Sequence, residues 1–425
     1  MTEEQIKKRN LAIKNAMADT LLKRKGQVCR VFTCKLQFNK LSSLQKEQLK
    51  MMFVEAKWLY NDILSFSNDG NRPNDYNIGQ MVKHYDQFGS EIITSFKYLH
   101  SQMKQEVKKK ICSSLKGLGA LKRNGHKVGK LKFASEYNQL HIKQCNNLKF
   151  KNGKRVKIPN LKGLVVVNGC NQFLNIKGIE IACVDLLQTP NGYYISFCTF
   201  IDKKKIKKQK RNNKILGIDF GCSKSFTTSE GKMYDFKVEE SDRLKKLQRS
   251  LNKKIGIKRG QKKSNNFKRV QLQIQKEYLK LKNIKNDKAN KIVNELSKYR
   301  TVIIQDENLT GWKETGHGKK VQHSILGRVK SKLLLKDNVK VINRFAPTTK
   351  LCRKCGSLMD LSLSNRIFKC SCCGETEQRD IHAAKNMVWM YKNAVCVGHT
   401  KLKHVEIENQ ISKAIKKLKG SICEA

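Results

Sequence analysis

Three acidic residues and four cysteines are the side chains whose setting points most directly to chemistry. Residues 215–236 read ILGIDFGCSKSFTTSEGKMYDF. An apolar strand carries Asp219, Gly221 turns the chain, SFTTS forms a second strand, and a Glu230-Gly231 turn leads into a third. A carboxylate in an apolar strand is costly to bury unless it meets a cation. A second acid, Glu307, ends the apolar run in VIIQDENLTGW, with Asp306 as its competitor. The third, Asp380, starts an amphipathic helix in QRDIHAAKNMVWMY, ahead of Ala383, Ala384, Met387 and either Met390 or Tyr391. An acid at a helix start is also favoured by the macrodipole, so each acid alone is ambiguous. Together, on a strand, a strand edge and a helix start, they suit phosphodiester hydrolysis by two divalent ions about 3.5–4 Å apart. The expected ion is Mg²⁺ (or Mn²⁺), which prefers hard oxygen ligands. No Ser/His/Asp or Cys/His pattern competes for the chemistry.

The cysteines lie in LCRKCGSLMDLSLSNRIFKCSCCGETEQRD. Cys352 and Cys355 form one CxxC pair, Cys370 and Cys373 another, and Gly356 and Gly374 close the two turns. Four thiolates on two tight turns are the ligand set of structural Zn²⁺. Cys372 is surplus and is left outside the set. The remaining ten of the 15 cysteines show no metal-ligand spacing. An odd cysteine count with one metal-type cluster fits a reducing, intracellular setting.

These sites sit in a chain of 425 residues with formal net charge +53. A compact chain so charged repels itself. Because the basic residues are spread along the whole length, long nucleic-acid tracts are the expected counter-charge. No apolar run approaches the roughly 20 residues of a membrane span, and MTEEQIKKRN does not read as a secretory signal. No membrane partner is expected.

Residues 1–27 read as a basic helix closed by Gly26, and 28–38 alternate like a strand. Helical spacing predicts a helix over 41–66, started by Ser42 or Ser43 and burying Leu44, Leu49, Phe53, Ala56, Leu59 and Ile63. Residues 68–76 form a loop. A second helix is expected from about Glu91 to Leu118. From about 131 the period becomes two, in LKF, LHIK, RVKIP, LVVV, FLNIKG, IEIACVDLL and YYISFCTF. Asn191-Gly192 marks a hairpin turn there. These strands suggest an antiparallel barrel or sandwich. Residues 202–214 are a basic linker, and 242–299 a Lys-rich helix pair broken near Gly256–Asn266.

These motifs together resemble the TnpB nucleases of insertion-sequence transposons and the related miniature type V CRISPR effectors. The likeness is carried by GIDFGCSKS, by IIQDENLTGW with VQHSILGRVKSKL, and by CRKCG…CSCCG…RDIHAAKNM, with weaker echoes in HKVGKLKF, GKRVKIP and NGYYISF. It implies a multidomain α+β fold. An N-terminal β-barrel (wedge) domain with a helical recognition insertion would precede an RNase H-like RuvC domain carrying an inserted zinc ribbon. The implied division is an N-terminal basic helix at 1–27, a wedge strand at 28–40, the recognition domain at 41–126 and the wedge barrel at 127–201. A basic linker at 202–214 follows, then RuvC at 215–345, the ribbon at 346–378, the rest of RuvC at 379–400 and a basic tail at 401–425. Asp219, Glu307 and Asp380 map to the family's catalytic acids and Mg²⁺ ligands, with Asn308 where the family commonly has Asp. The implied partners are a guide RNA and target double-stranded DNA beside a short motif, with base pairing reading the rest. The implied setting is a prokaryotic cytoplasm, at the nucleoid, as monomer or dimer. A protein-directed RuvC-like nuclease, an RNA-guided repressor and a transposase are the competing classes. The complete acid set argues against a repressor.

Overall fold

In the computed structural model, a capping box of Thr2 and Gln5 starts α1 (Glu3–Lys25), and Gly26 caps its end. Acids in the first turn and bases in the last suit the helix dipole. The structure describes residues 2–86, 88–143, 148, 150–206, 210–221, 226–253, 264–312, 314, 318–362, 364–395 and 410. Parts of the expected linker (207–209), of GIDFGCSKS (222–225), of the break in the helix pair (254–263) and nearly all of the tail (401–425) lie outside them. The chain divides into two units, Met1–Lys207 and Lys208–Ala425.

In the first unit, β1 (Gln27–Leu36) leads to α2 (Ser43–Asn68), where Ser42 and Gln45 form a second capping box. A hairpin of β2 (Met81–Tyr85) and β3 (Glu91–Ser95) precedes α3 (Ser101–Arg123). Then come β4 (Gln139–Ile142), β5 (Phe150–Lys151), β6 (Arg155–Val156), β7 (Val165–Asn168), the short α4 (Asn171–Leu174), β8 (Glu180–Thr189) and β9 (Gly192–Asp202). Seven of these strands form one antiparallel sheet in the order β4-β8-β9-β1-β7-β6-β5. Its outer strands are β4 and β5, which do not pair with each other among the described residues. The β8–β9 turn falls at Pro190–Asn191, with Thr189 opposite Gly192 at φ +112°.

Three sequence expectations fail here, the simplest being that LKF at 131–133 is not a strand. The helix expected from Glu91 starts only at Ser101. The buried Glu55 carboxylate on α2 accepts the backbone N–H groups of Lys97, Tyr98 and Leu99 at 2.7–3.2 Å. Those donors are withdrawn from any helix, and the β-branched Ile92, Ile93 and Thr94 pair as β3 instead. FLNIKG is not a strand either. Turns from Gly169 (φ +102°) fold 171–174 into α4 and bury Phe173.

The second unit is built on β10 (Ile215–Phe220), β11 (Phe226–Thr228) and β12 (Met233–Tyr234), followed by α5 (Asp242–Asn252) and α6 (Asn265–Leu296). Next are β13 (Thr301–Gln305), α7 (Leu309–Trp312), α8 (Gly318–His323), α9 (Leu326–Leu333) and β14 (Val339–Ile342). A hairpin of β15 (Ile367–Lys369) and β16 (Thr376–Gln378) leads into α10 (Arg379–Lys392). The five-stranded sheet runs β12-β11-β10-β13-β14; β10, β13 and β14 are parallel, and β11 and β12 antiparallel. Alternation puts Val302 and Ile304 against α6 and α9, and Ile303 against Met387 and Met390 of α10. The sheet is thus covered on both faces, and each buried aliphatic side chain contributes about 1.5–3 kcal/mol. No helix among the described residues is long and apolar enough to cross a membrane.

Candidate active site and metal cluster

On β10, Leu216, Ile218 and Phe220 enter the core on one face. Gly217 and Asp219 therefore share the other face. Helix α10 lies directly on that face: a Cβ at Gly217 would come 2.0 Å from the Ala384 carbonyl oxygen. From that contact, two residues along a strand advance about 6.6 Å. Four residues back along a helix cover about 6 Å. These near-equal steps bring the Asp380 helix start to the level of Asp219. Glu307 arrives from the neighbouring strand. The parallel register ends at Ile218 opposite Ile304, so Asp219 and Glu307 both follow at the carboxyl edge of the sheet.

The charges agree with this convergence. Burial first, then the charges of Asp380 and Glu307, push the Asp219 carboxyl well above its ordinary range, and Arg379 only partly offsets them. Asp219 is closely surrounded by protein, yet its side chain stays partly exposed. Glu307 is also raised, chiefly by burial. The sequence competitor behaves oppositely. Asp306 pairs with Arg344 at 2.9 Å and Lys330 at 3.2 Å, which hold its carboxyl below the ordinary range. Its charge is already satisfied, whereas that of Asp219 meets like charges. The structure thus brings Asp219, Glu307 and Asp380 together and ties Asp306 away. The three carboxylates do not crowd onto one point: among the described residues, only the cysteine set has its ligand atoms all within 4.8 Å.

That set is Cys352, Cys355, Cys370 and Cys373. Two matching turns present them. Gly356 N–H returns to Cys352 O and Gly374 N–H to Cys370 O, with φ of +80° and +70° at the glycines. Sγ–Sγ separations of 3.6 Å (Cys352–Cys373) and 3.5 Å (Cys355–Cys370) match the edges of a tetrahedron with Zn–S of about 2.3 Å. Cys372 is exposed and outside the set. The cluster is compatible with structural zinc. Cys373→Ser should lower zinc from one per chain and loosen the ribbon, while Cys372→Ser should retain it; metal analysis of reduced protein reads both.

A polar spine that the sequence reading missed links the ribbon to α10. His382, fully buried, stacks on Phe368 of the ribbon with ring centroids 3.7 Å apart. Burial holds its imidazole below the ordinary pKa, hence neutral. With the proton on Nε2 it donates to Leu351 O at 2.8 Å, and Nδ1 accepts from Arg353 Nη1 at 3.1 Å. Asn386, one turn on, donates to Thr348 O and Leu351 O. The Gln305 amide donates to the carbonyls of Asn343, Arg344 and Ala346 and accepts from Thr348. Polar residues on the buried side of α10 were the available signal, because His382 and Asn386 interrupt an otherwise apolar face.

Two family models match the chain. The OrfB_IS605 family, described as a probable transposase, matches residues 196–310, and the Cas12f1-like TNB domain matches 326–387. A curated relative from Streptomyces pristinaespiralis, named a putative RNA-guided DNA endonuclease, is 28% identical over 184 residues, covering 41% of this chain and 44% of its own length. The match thus spans less than half of that relative. Among solved structures, a Cas12f1-sgRNA-target DNA complex aligns over 81% of both chains at 14% identity and TM-score 0.39. The mini-RNA-guided endonuclease CRISPR-Cas_phi3 aligns over 92% of this chain and 97% of its own at 11% identity and TM-score 0.41.

Proposed function

We propose that this chain, which resembles the TnpB and miniature type V CRISPR effector family, is an RNA-guided DNA endonuclease. The observation that carries the reading is the convergence of three acids at one sheet edge, where the β10–β13 register and the α10 contact at Gly217 bring Asp219, Glu307 and Asp380 together and where burial first, then Asp380 and Glu307, raise the Asp219 carboxyl. Three acids gathered at one sheet edge destabilise each other unless cations join them. The mixed sheet, with acids at the central strand, at the adjacent parallel strand and on the helix laid across it, supports an RNase H-like RuvC domain. Residues 1–207 would hold the wedge and recognition functions.

Asp219, Glu307 and Asp380 would hold the divalent ions. Bound Mg²⁺ or Mn²⁺ would supply Lewis-acid stabilisation of the phosphodiester and a water nucleophile at neutral pH. The chain's own part is positioning. β10 fixes Asp219, the end of β13 fixes Glu307, and the contact at Gly217 sets the Asp380 helix against both. Asp306 holds Lys330 and Arg344 in place behind Glu307, and Lys330 donates to Glu307 O at 2.6 Å. The ribbon, through His382 and Asn386, steadies the first turns of α10.

The net charge of +53 calls for phosphates on a matching scale. A guide RNA with a folded scaffold would supply them and stabilise the folded protein by mass action. Protein expressed with its native locus should co-purify with one defined RNA that sequencing identifies. A heterogeneous mixture of cellular RNA would count against the guide reading.

A further inference from the structure

Far from the acid site in the chain, three cysteines with no metal-ligand spacing meet on one face of the first unit's sheet. Strands β1 and β9 pair over nine residues, with Cys29 opposite Phe200 and Val31 opposite Cys198. Paired residues of an antiparallel sheet point to the same face, as do residues two apart on one strand. Cys29 and Cys198 are therefore diagonal neighbours on one face, and their Sγ atoms lie 3.5 Å apart. Cys183 of β8 sits opposite Cys198 on the same face. This face is accessible: Cys29 is exposed, Cys198 and Cys183 are partly exposed, and Val31 beside them is 62% exposed. The buried Cys34 and Cys170 provide a contrast within the same unit.

We propose that Cys29 and Cys198 form a modification site, a dithiol that peroxides oxidise to a cross-strand disulfide. The Cys29 thiolate attacks one peroxide oxygen. The O–O bond breaks, water leaves after proton uptake, and Cys29 becomes a sulfenic acid. The Cys198 sulfur, already adjacent, attacks the Cys29 sulfur. The S–O bond breaks, a second water leaves, and the S–S bond forms. Two thiols lose two electrons and two protons, and one peroxide becomes two waters. Closure brings the two sulfurs from 3.5 Å to the roughly 2.05 Å of an S–S bond, and the new bond staples β1 to β9. Burial raises both thiols above their ordinary pKa, while Arg24 partly opposes this at Cys29. The thiolate fraction at neutral pH is therefore small and the reaction slow.

The test uses the full-length protein, reduced and then exposed to hydrogen peroxide. Free thiols are alkylated and the peptides mapped by mass. The expected product is a cross-linked pair of peptides joined through Cys29 and Cys198, two hydrogens lighter than the reduced pair. A reductant should restore both thiols, and Cys34 and Cys170 should remain unoxidised. In Cys198→Ser the cross-link should vanish while the fold persists by circular dichroism. The proposal is overturned if both thiols stay alkylatable while the exposed Cys372 is oxidised. It is equally overturned if Cys29 stops at sulfinic acid or pairs with another cysteine. The outcome is independent of nuclease activity.

Discussion

Asp219→Asn should abolish cleavage and at the same time raise the thermal midpoint of the metal-free protein. The two effects share one cause. In the fold, Asp219 is raised by burial and by Asp380 and Glu307. The folded state thus holds this proton more tightly than the unfolded chain, whose carboxyl titrates near pH ~4. Stability then falls as pH rises from that range toward the raised value. Glu307 adds to the effect with the same sign. Asparagine removes the charge and keeps the shape, so it relieves the repulsion but leaves no anionic ligand. Loss of one group that stabilises a transition state costs about 100–1000-fold in rate. Mg²⁺ should raise the midpoint of the native protein and leave that of Asp219→Asn unmoved. Asp306→Asn should do the reverse. Asp306 is lowered first by Arg344, then by Lys330, so it stabilises the fold above the ordinary carboxyl range and loses that effect as pH falls. Its removal should cost about 1 kcal/mol of stability and only part of the activity. Differential scanning calorimetry with and without Mg²⁺ checks both. A lower midpoint for metal-free Asp219→Asn would show that this carboxylate serves the fold and not a cation site.

The second large effect is expected from one methyl group. Gly217→Ala places a Cβ 2.0 Å from a backbone oxygen of α10, and a backbone atom cannot rotate away as a side chain does. The helix must shift outward. Overpacking of this kind costs about 1–3 kcal/mol, occasionally more. The functional loss should exceed the loss of stability, because the same shift carries Asp380 away from Asp219. A misplacement near 1 Å can cost about 100-fold in rate. Gly221→Ala is the control, since among the described residues nothing lies within 4 Å of the added Cβ. Denaturant melts and single-turnover cleavage read the two quantities. If Gly217→Ala cuts at the native rate, α10 is not what sets the acids.

Where the sequence was informative, one local rule sufficed. Of the two serines offered as the start of α2, Ser42 is the cap, and the period of α10 identifies the buried Ala383, Ala384 and Met387, with Met390 buried and Tyr391 only partly so. The two CxxC turns give the metal cluster directly, because each pair needs only its own turn. Asp219, Glu307 and Asp380 were nameable from their settings, but their convergence was not, since it depends on the parallel register of β10 with β13 and on a glycine contact 167 residues away in sequence. Failures arose where a distant group overrode a local pattern. Glu55 caps backbone donors 42–44 residues on and delays α3. Leu44 fits the helical stripe of α2 yet stays 43% exposed, because it lies in the first turn, before the helix meets its neighbours. The neutral His382 and its spine pair residues 29–43 apart. The Cys29–Cys198 contact spans 169 residues and has no signature in spacing.

The central claim is that a bound RNA, and not the protein surface, chooses where this acid site cuts. The direct measurement compares one preparation in three states on a plasmid library: with its co-purified RNA, stripped of RNA, and reloaded with RNA whose guide segment has been rewritten. The expected result is Mg²⁺-dependent cutting at the original target, no sequence-selective cutting without RNA, and cutting at the new target after reloading, with the same flanking motif required each time. Selective cleavage of one DNA sequence by the RNA-free protein would contradict the account and assign target choice to the polypeptide.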